Sequence, residues 1–222
     1  MSTIQKAVEH QDKIIETTRK LKKSLLHTLF TEGLNGEEQK ETEIGRVPKS
    51  WGVVRFGDIA KVKYGKAKPK TKGNIPVVGS SGIYDWTDKP LIELPTLVIG
   101  RKGTAGEVHL FLESCWPSDT TFYLVFEQND IDLTFLYYFM SLNKLSGEHA
   151  KTTLPSLQRG DLENYKFPFP PLLEQQQIAH ILSTVDKKIE IEERRKTTLK
   201  ELFKTMLHKL MTGETRLKEV EI

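Results

Sequence analysis

Six lysines, at positions 61, 63, 66, 68, 70 and 72, stand between Asp58 and Asp85 with no acidic residue among them. A local field of one sign attracts phosphate backbones, although a solvated loop carries the same pattern. Three other stretches place donors in turn-like settings. Gly100-Arg101-Lys102-Gly103-Thr104-Ala105-Gly106 follows an apolar run, and its glycines permit a tight turn with close backbone approach. Arg101, Lys102 and Thr104 can then donate to phosphates or base edges, arginine being the commonest reader of guanine. Gly79-Ser80-Ser81-Gly82-Ile83-Tyr84 is a second such turn, with Ser80, Ser81 and Tyr84 as candidate contacts. Thr152-Thr153-Leu154-Pro155-Ser156-Leu157-Gln158-Arg159 is a third polar loop, with Thr152, Thr153, Ser156, Gln158 and Arg159 as candidates. Each alone also matches an ordinary hairpin turn that needs glycine.

Catalytic signatures are missing. Gly65-Lys66 lacks the preceding glycine and the hydroxyl of a phosphate loop, and no G-x-G-x-x-G stands between a strand and a helix. The Asn/Asp-Pro-Pro-aromatic hallmark of amino-methyltransferases is absent, because Pro170-Pro171 lies between Phe169 and Leu172. Glu38-Gln39-Lys40 has the E-x-K form of metal-dependent nucleases but lacks an upstream Pro-Asp. Cys115 is the only cysteine, which excludes an intrachain disulfide and a thiolate metal site; it reads as a core residue. No metal site and no cofactor are expected on the chain, and an enzyme acting alone is not expected. No apolar run approaches the roughly 18 residues of a membrane span, and the start MSTIQKAVEHQDK is too polar for a signal peptide. The expectation is a cytoplasmic protein with no membrane partner.

The elements that must position these residues follow from hydropathy patterning. Residues 1–34 read as a helix whose apolar positions, Leu21 and Leu25 among them, cluster on one face before Gly33 and Asn35-Gly36 stop it. Residues 35–50 are polar and acidic and read as a linker. Residues 51–170 change texture, with short apolar runs broken by Gly, Pro, Asn and Asp, as strands and turns require. One helical stretch, Leu133 to about Ser146, interrupts them. Pro168-Phe169-Pro170-Pro171 closes this region, since consecutive prolines continue neither a helix nor a central strand.

A long helix over 171–213 follows, then a tail over 214–222. Ile178, Leu182, Val185, Ile189, Leu199, Phe203, Met206 and Leu210 keep steps of 4 and 3, with Glu192 and Lys196 as polar insertions. Over 174–212 such a helix is about 58 Å long, more than the middle region can cover, so it asks for another helix in a coiled coil. A candidate lies in the same chain. A shift of 181 residues superimposes Thr17 on Thr198, Leu21 on Leu202, Lys23 on Lys204, Leu26 on Leu207, His27 on His208, Leu29 on Leu210 and Thr31 on Thr212. A repeated helix flanking one domain suggests half of a larger two-domain arrangement.

The most specific motif is Pro168-Phe169-Pro170-Pro171-Leu172-Leu173-Glu174-Gln175-Gln176-Gln177-Ile178-Ala179. Ile44-Gly45-Arg46-Val47-Pro48-Lys49-Ser50-Trp51 with Phe56-Gly57-Asp58-Ile59, Asn74-Ile75-Pro76-Val77, Ile99 to Gly106, and Leu210-Met211-Thr212-Gly213 accompany it in order. With these motifs the chain resembles the DNA-specificity subunits of type I restriction-modification systems, in a half-length form with one target-recognition domain. The resemblance implies an α+β chain: a mixed α/β recognition domain flanked by long helices that form an antiparallel coiled coil. It implies a non-catalytic subunit that binds double-stranded DNA and directs methyltransferase (modification) subunits, and a restriction/translocase subunit where one is present. S-adenosylmethionine would then be carried by the modification subunit. A homodimer through the long helices would rebuild two domains and read a bipartite palindromic site. A coiled-coil protein-binding adaptor, or an inactive truncated specificity fragment, remains the alternative at this stage.

Overall fold

The computed structural model describes residues 3–127, 130–143 and 156–213. The chain divides into a helical unit, residues 1–25 with 181–222, and a mixed unit, residues 26–180. Along the chain, α1 spans Thr3–Thr31 and stops where Gly33 adopts φ +69°. Two strands, β1 (Gln39–Thr42) and β2 (Gly45–Pro48), then pair antiparallel inside the stretch expected to be a linker. Gly45, at φ +103°, permits the tight turn between them, the Thr42 hydroxyl donates to the Gly45 carbonyl at 2.6 Å, and Arg46 pairs with Glu41 at 2.7 Å. This hairpin is mostly exposed and charged, so hydropathy carried no trace of it.

The mixed unit continues with β3 (Gly52–Arg55), the short α2 (Phe56–Ile59), β4 (Ala60–Tyr64), β5 (Ile75–Gly79), β6 (Gly82–Thr87), β7 (Thr96–Gly100) and β8 (Val108–Phe111). It then adds β9 (Trp116–Pro117), β10 (Thr121–Phe126), α3 (Leu133–Leu142), α4 (Arg159–Asn164) and β11 (Lys166–Phe169), before α5 (Leu172–Met211). A four-stranded antiparallel sheet has the order β4-β10-β7-β8. A three-stranded sheet has the order β6-β5-β9, with β5 antiparallel to β6 and parallel to β9, and β11 pairs with β3. β7 is buried at every position, as a continuous apolar run at the centre of a sheet must be. Asp132 caps α3 by accepting from the Phe135 amide at 2.8 Å, and Asn143 is its C-cap; Ser146 lies outside the described residues. α4 begins at Arg159, where only a polar loop was expected.

An aromatic cluster fills the core behind β3 and β11. Phe56 stacks on Phe167 at 4.6 Å, Phe139 lies 5.3 Å from Phe167, and Phe30 lies 5.2 Å from Phe135. The Glu-Gln pair that opens α5 ties this unit together. Glu174 accepts from the Leu34 amide at 3.0 Å and from the Trp51 indole at 2.9 Å. Buried Gln175 accepts from the Asp132 amide at 2.9 Å and donates to the carbonyls of Pro170 at 2.9 Å and Asp130 at 3.2 Å. All its amide groups are satisfied, as burial demands.

In the helical unit α1 and α5 run antiparallel. Lys22 pairs with Asp186 at 2.5 Å and Lys196 with Asp12, so one number rises as the other falls. The inward stripe of α1 is Ile4, Val8, Gln11, Ile15, Thr18 and Lys22, at steps of 3 and 4. On α5, Leu182 and Glu192 are buried and Val185, Ile189, Lys196, Leu199 and Phe203 are half-buried. At the far end of the heptad stripe, Met206 and Leu210 are exposed in the single chain, as is Leu21 on α1. Phe203 lines a groove with Ile4 and Val8 in the first turns of α1, and Met206 and Leu210 lie farther along α5 than that groove.

Candidate nucleic-acid interface

The turn from Gly100 to Gly106 is the meeting point of the three candidate loops. It closes on itself through the Gly106 amide, which donates to the Gly100 carbonyl at 2.8 Å, with Gly103 and Gly106 at φ +78° and +80°. A Cβ on Gly100 would collide with the Thr104 carbonyl, so the close approach requires glycine there. The hydroxyls of Ser81 and Thr104 hydrogen-bond at 3.0 Å, joining the β5–β6 turn to it. Lys102 bridges to Ser156, and the Leu157 amide donates to the Arg101 carbonyl at 3.0 Å, joining the third loop.

The candidates gathered there divide by what already holds them. Arg101 lies over the rings of Tyr64 at 5.3 Å and Phe122 at 5.9 Å, and donates to the Asp119 carbonyl at 2.9 Å. Its side chain is thus part of the packing under the turn. Ser80 is buried and donates to the Thr120 carbonyl at 2.7 Å. Lys61 pairs with Glu127, Lys68 with Asp85, and Arg159 with Glu163 at 2.7 Å. Gln158 donates to the Ser156 hydroxyl at 3.3 Å. Lys63, Lys66, Lys70, Lys72, Ser81, Tyr84, Lys102 and Thr104 are exposed. Lys61 and Lys63 project from β4, whose last residue, Tyr64, lies under Arg101. Thr152 and Thr153 lie outside the described residues.

Residues 48–201 match the family described as type I restriction modification DNA specificity domain. The chain belongs to this family. It is 26% identical over 241 residues to the type I restriction enzyme MjaVIII specificity subunit of Methanocaldococcus jannaschii, covering 94% of this chain and 57% of that protein. Its fold is similar to that of the type I restriction-modification S subunit of M. genitalium, with a TM-score of 0.70, 19% identity, and 93% of this chain against 57% of that one. The HsdS subunit of Thermoanaerobacter tengcongensis gives a TM-score of 0.65 at 19% identity, over 93% of this chain and 54% of that one. The chain spans about half the length of the curated relatives it matches.

Within this specificity domain, the lysine run is a strap fastened along β6. Lys68 pairs with Asp85, the hydroxyls of Thr71 and Thr87 meet at 3.1 Å, and Gly73 lies against the backbone of Thr87 and Asp88 too closely to admit a Cβ. Lys68 is the first cause that holds the Asp85 carboxyl below the usual carboxylate range, with the Trp86 amide next. At the other end Gly65 lies on the backbone of Pro117 and Ser118, and the Trp116 indole donates to the Lys66 carbonyl at 3.0 Å. The strap thus runs along β6, from which Ile83, Tyr84 and Trp86 are exposed. Sequence reasoning missed Ile83 and Trp86. The signal was present, since β6 carries large apolar residues at 83, 84 and 86, which no two-sided alternation can bury together. Cys115, expected in the core, is buried with Val78, Ile92, Val98 and Tyr123, and burial pushes its thiol up to about 12. Among the described residues no group of three His, Cys, Asp or Glu could hold a metal ion, and no helix is long and apolar enough to cross a membrane.

Proposed function

We propose that the chain is a DNA-reading subunit of a type I restriction-modification system, and that its mixed unit contacts one half of a bipartite target. The observation that carries this reading is the convergence of two other polar loops on the Gly100–Gly106 turn, with the lysine strap fastened to the neighbouring strand. Exposed lysines of the strap position the duplex through its phosphates, and the loops present donors to base edges in the major groove. The chain supplies recognition, and chemistry on the target base belongs to partner modification subunits that carry S-adenosylmethionine and take the base out of the stack. A restriction/translocase subunit joins the same complex where the system has one.

Two copies associate through α5. Leu29 and Phe30 of α1 are 6% exposed, with Phe30 against Phe135 and Phe139, whereas their repeat counterparts Leu210 and Met211 on α5 are 38% and 80% exposed. Leu202, Met206 and Leu207 extend that exposed apolar ridge, and a second copy is the cover that also rebuilds a two-domain reader. The test is molar mass by light scattering, alone and with a co-expressed modification subunit, followed by binding to randomised duplexes. A mass near twice 25.4 kDa that grows with the partner, and a selected palindromic motif, are expected. A monomer that ignores the modification subunit and binds duplexes without preference overturns the reading and leaves a protein-binding adaptor.

A further inference from the structure

We propose that Tyr84 and Trp86, on the outward side of β6, are specificity-determining contacts that meet thymine methyl groups in the major groove. This deepens the DNA-reading function above and rests on it.

β6 is the edge of its three-stranded sheet, where an unblunted apolar surface invites aggregation and is ordinarily avoided. Here Ile83, Tyr84 and Trp86 are 50%, 58% and 49% exposed, while the neighbouring Val77 and Val78 of β5 are fully buried. The display is built, because the pairing of β5 with β6 shifts register between Val77 and Val78. Val77 faces Asp85 and Val78 faces Ile83, leaving Tyr84 as the extra residue of a bulge. Bulges re-aim side chains and collect beside functional sites. Beneath the bulge, the Tyr84 ring is seated on Gly79, where an added Cβ would stand 3.1 Å from the ring. A side chain at position 79 would oblige the ring to give by a few tenths of an ångström.

Charge selects the occupant. Asp85, the one acid in β6, is paired with Lys68, and Lys66, Lys70 and Lys72 stand exposed on the strap alongside. An exposed apolar strand with a cationic strap fastened along it suits a polyanion that also offers apolar surface. A DNA duplex meets both conditions: phosphates on its rims, and in the major groove the C5-methyl of thymine as the apolar feature of its base edges. A protein partner would not require the lysines, and it becomes an outcome of the test.

The experiment uses the full chain co-expressed with a modification subunit and a pool of randomised duplexes, comparing wild type with Tyr84→Ser and Trp86→Ser. Wild type is expected to select a motif containing thymine, and each variant to lose that preference at one or two positions while the rest of the motif stands. Replacing those thymines by uracil should weaken wild type about three- to fivefold per methyl and leave the matching variant unchanged. The proposal falls if both variants select the wild-type motif, or if uracil weakens variant and wild type alike. It also falls if the variants lose only a protein partner. A wild type that selects no motif at all overturns the DNA-reading function together with this inference, so the two failures are distinct.

Discussion

Gln11 and Glu192 occupy the same position in the two copies of the repeated helix, 181 residues apart, and they hydrogen-bond to each other in the helical unit. A contact between equivalent positions maps onto itself when the copies are exchanged, so the antiparallel pair carries a local two-fold through it. Exchanging the copies turns the Asp12–Lys196 pair into Ile15 and Glu193, which indeed line one groove together. Polar residues facing each other inside an apolar stripe fix register, because a slide along the stripe would strand a carboxylate against Val8 or Ile15.

That carboxylate makes stability depend on pH. Lys188 first and Gln11 next hold Glu192 at about 2, against an ordinary value of 4.5. A depressed folded-state value means that the contribution is present above the unfolded value and is lost as pH falls from about 4.5 toward 2. The melting temperature of wild type should therefore drop more steeply across that window than that of Glu192→Gln. At pH 7 the variant should already melt lower, and equal acid limbs for the two proteins would contradict the assignment.

Gly33 and Gln175 should prove to be stability positions. At φ +69°, an alanine at Gly33 is strained, and its Cβ would stand 2.8 Å from Glu174 Oε1, so Gly33→Ala should cost about 1–3 kcal/mol. Gln175→Leu leaves the Asp132 amide and two carbonyls without their partner and should cost about 3 kcal/mol. Urea unfolding at constant m-value measures both.

Arg101 and Lys102, adjacent in sequence, should separate by assay. Arg101→Ala removes the packing on Tyr64 and Phe122 and the bond to Asp119, costing about 1–2 kcal/mol of fold stability. Lys102→Ala should leave the melting temperature within a degree or so and lower DNA affinity for every sequence alike. The reverse pattern would make Arg101 a reader after all.

Leu207→Asp with Leu210→Asp tests the α5 ridge. Both side chains are exposed in the single chain, so the double variant should keep the wild-type circular dichroism spectrum. Its mass by light scattering should fall to that of one chain. A double variant that keeps a wild-type mass of two chains would place the proposed contact elsewhere.

Much of the architecture was legible because long-range periodicity survives in the residues. The 3,4 stripe from Ile178 to Phe203, the proline closure at 168–171 and the capping glycine at 33 read directly as helix, boundary and stop. The β1–β2 hairpin was illegible, since charged pairs such as Glu41–Arg46 hold it where hydropathy has no contrast. The candidate site was half legible. Residue type identified Arg101 and Ser80 as donors, but whether a donor is already engaged depends on groups far off in sequence, here Tyr64 and Thr120. Trp86 escaped for the opposite reason, because an aromatic residue in a strand is assumed to face inward until an edge and a bulge turn it out.

The fastening of the strap bears on how binding should respond to ionic strength. Lys61 and Lys68 are already engaged with Glu127 and Asp85, which leaves four of the six lysines to displace counterions from a duplex. Four phosphate contacts correspond to a salt exponent of about −3.6 for one copy from this stretch, whereas six would give about −5.4. Asp85→Asn would free Lys68 and make the exponent more negative by about one. On the proposed DNA contact, the carboxylate that anchors the strap would thus also set how many small ions the chain releases.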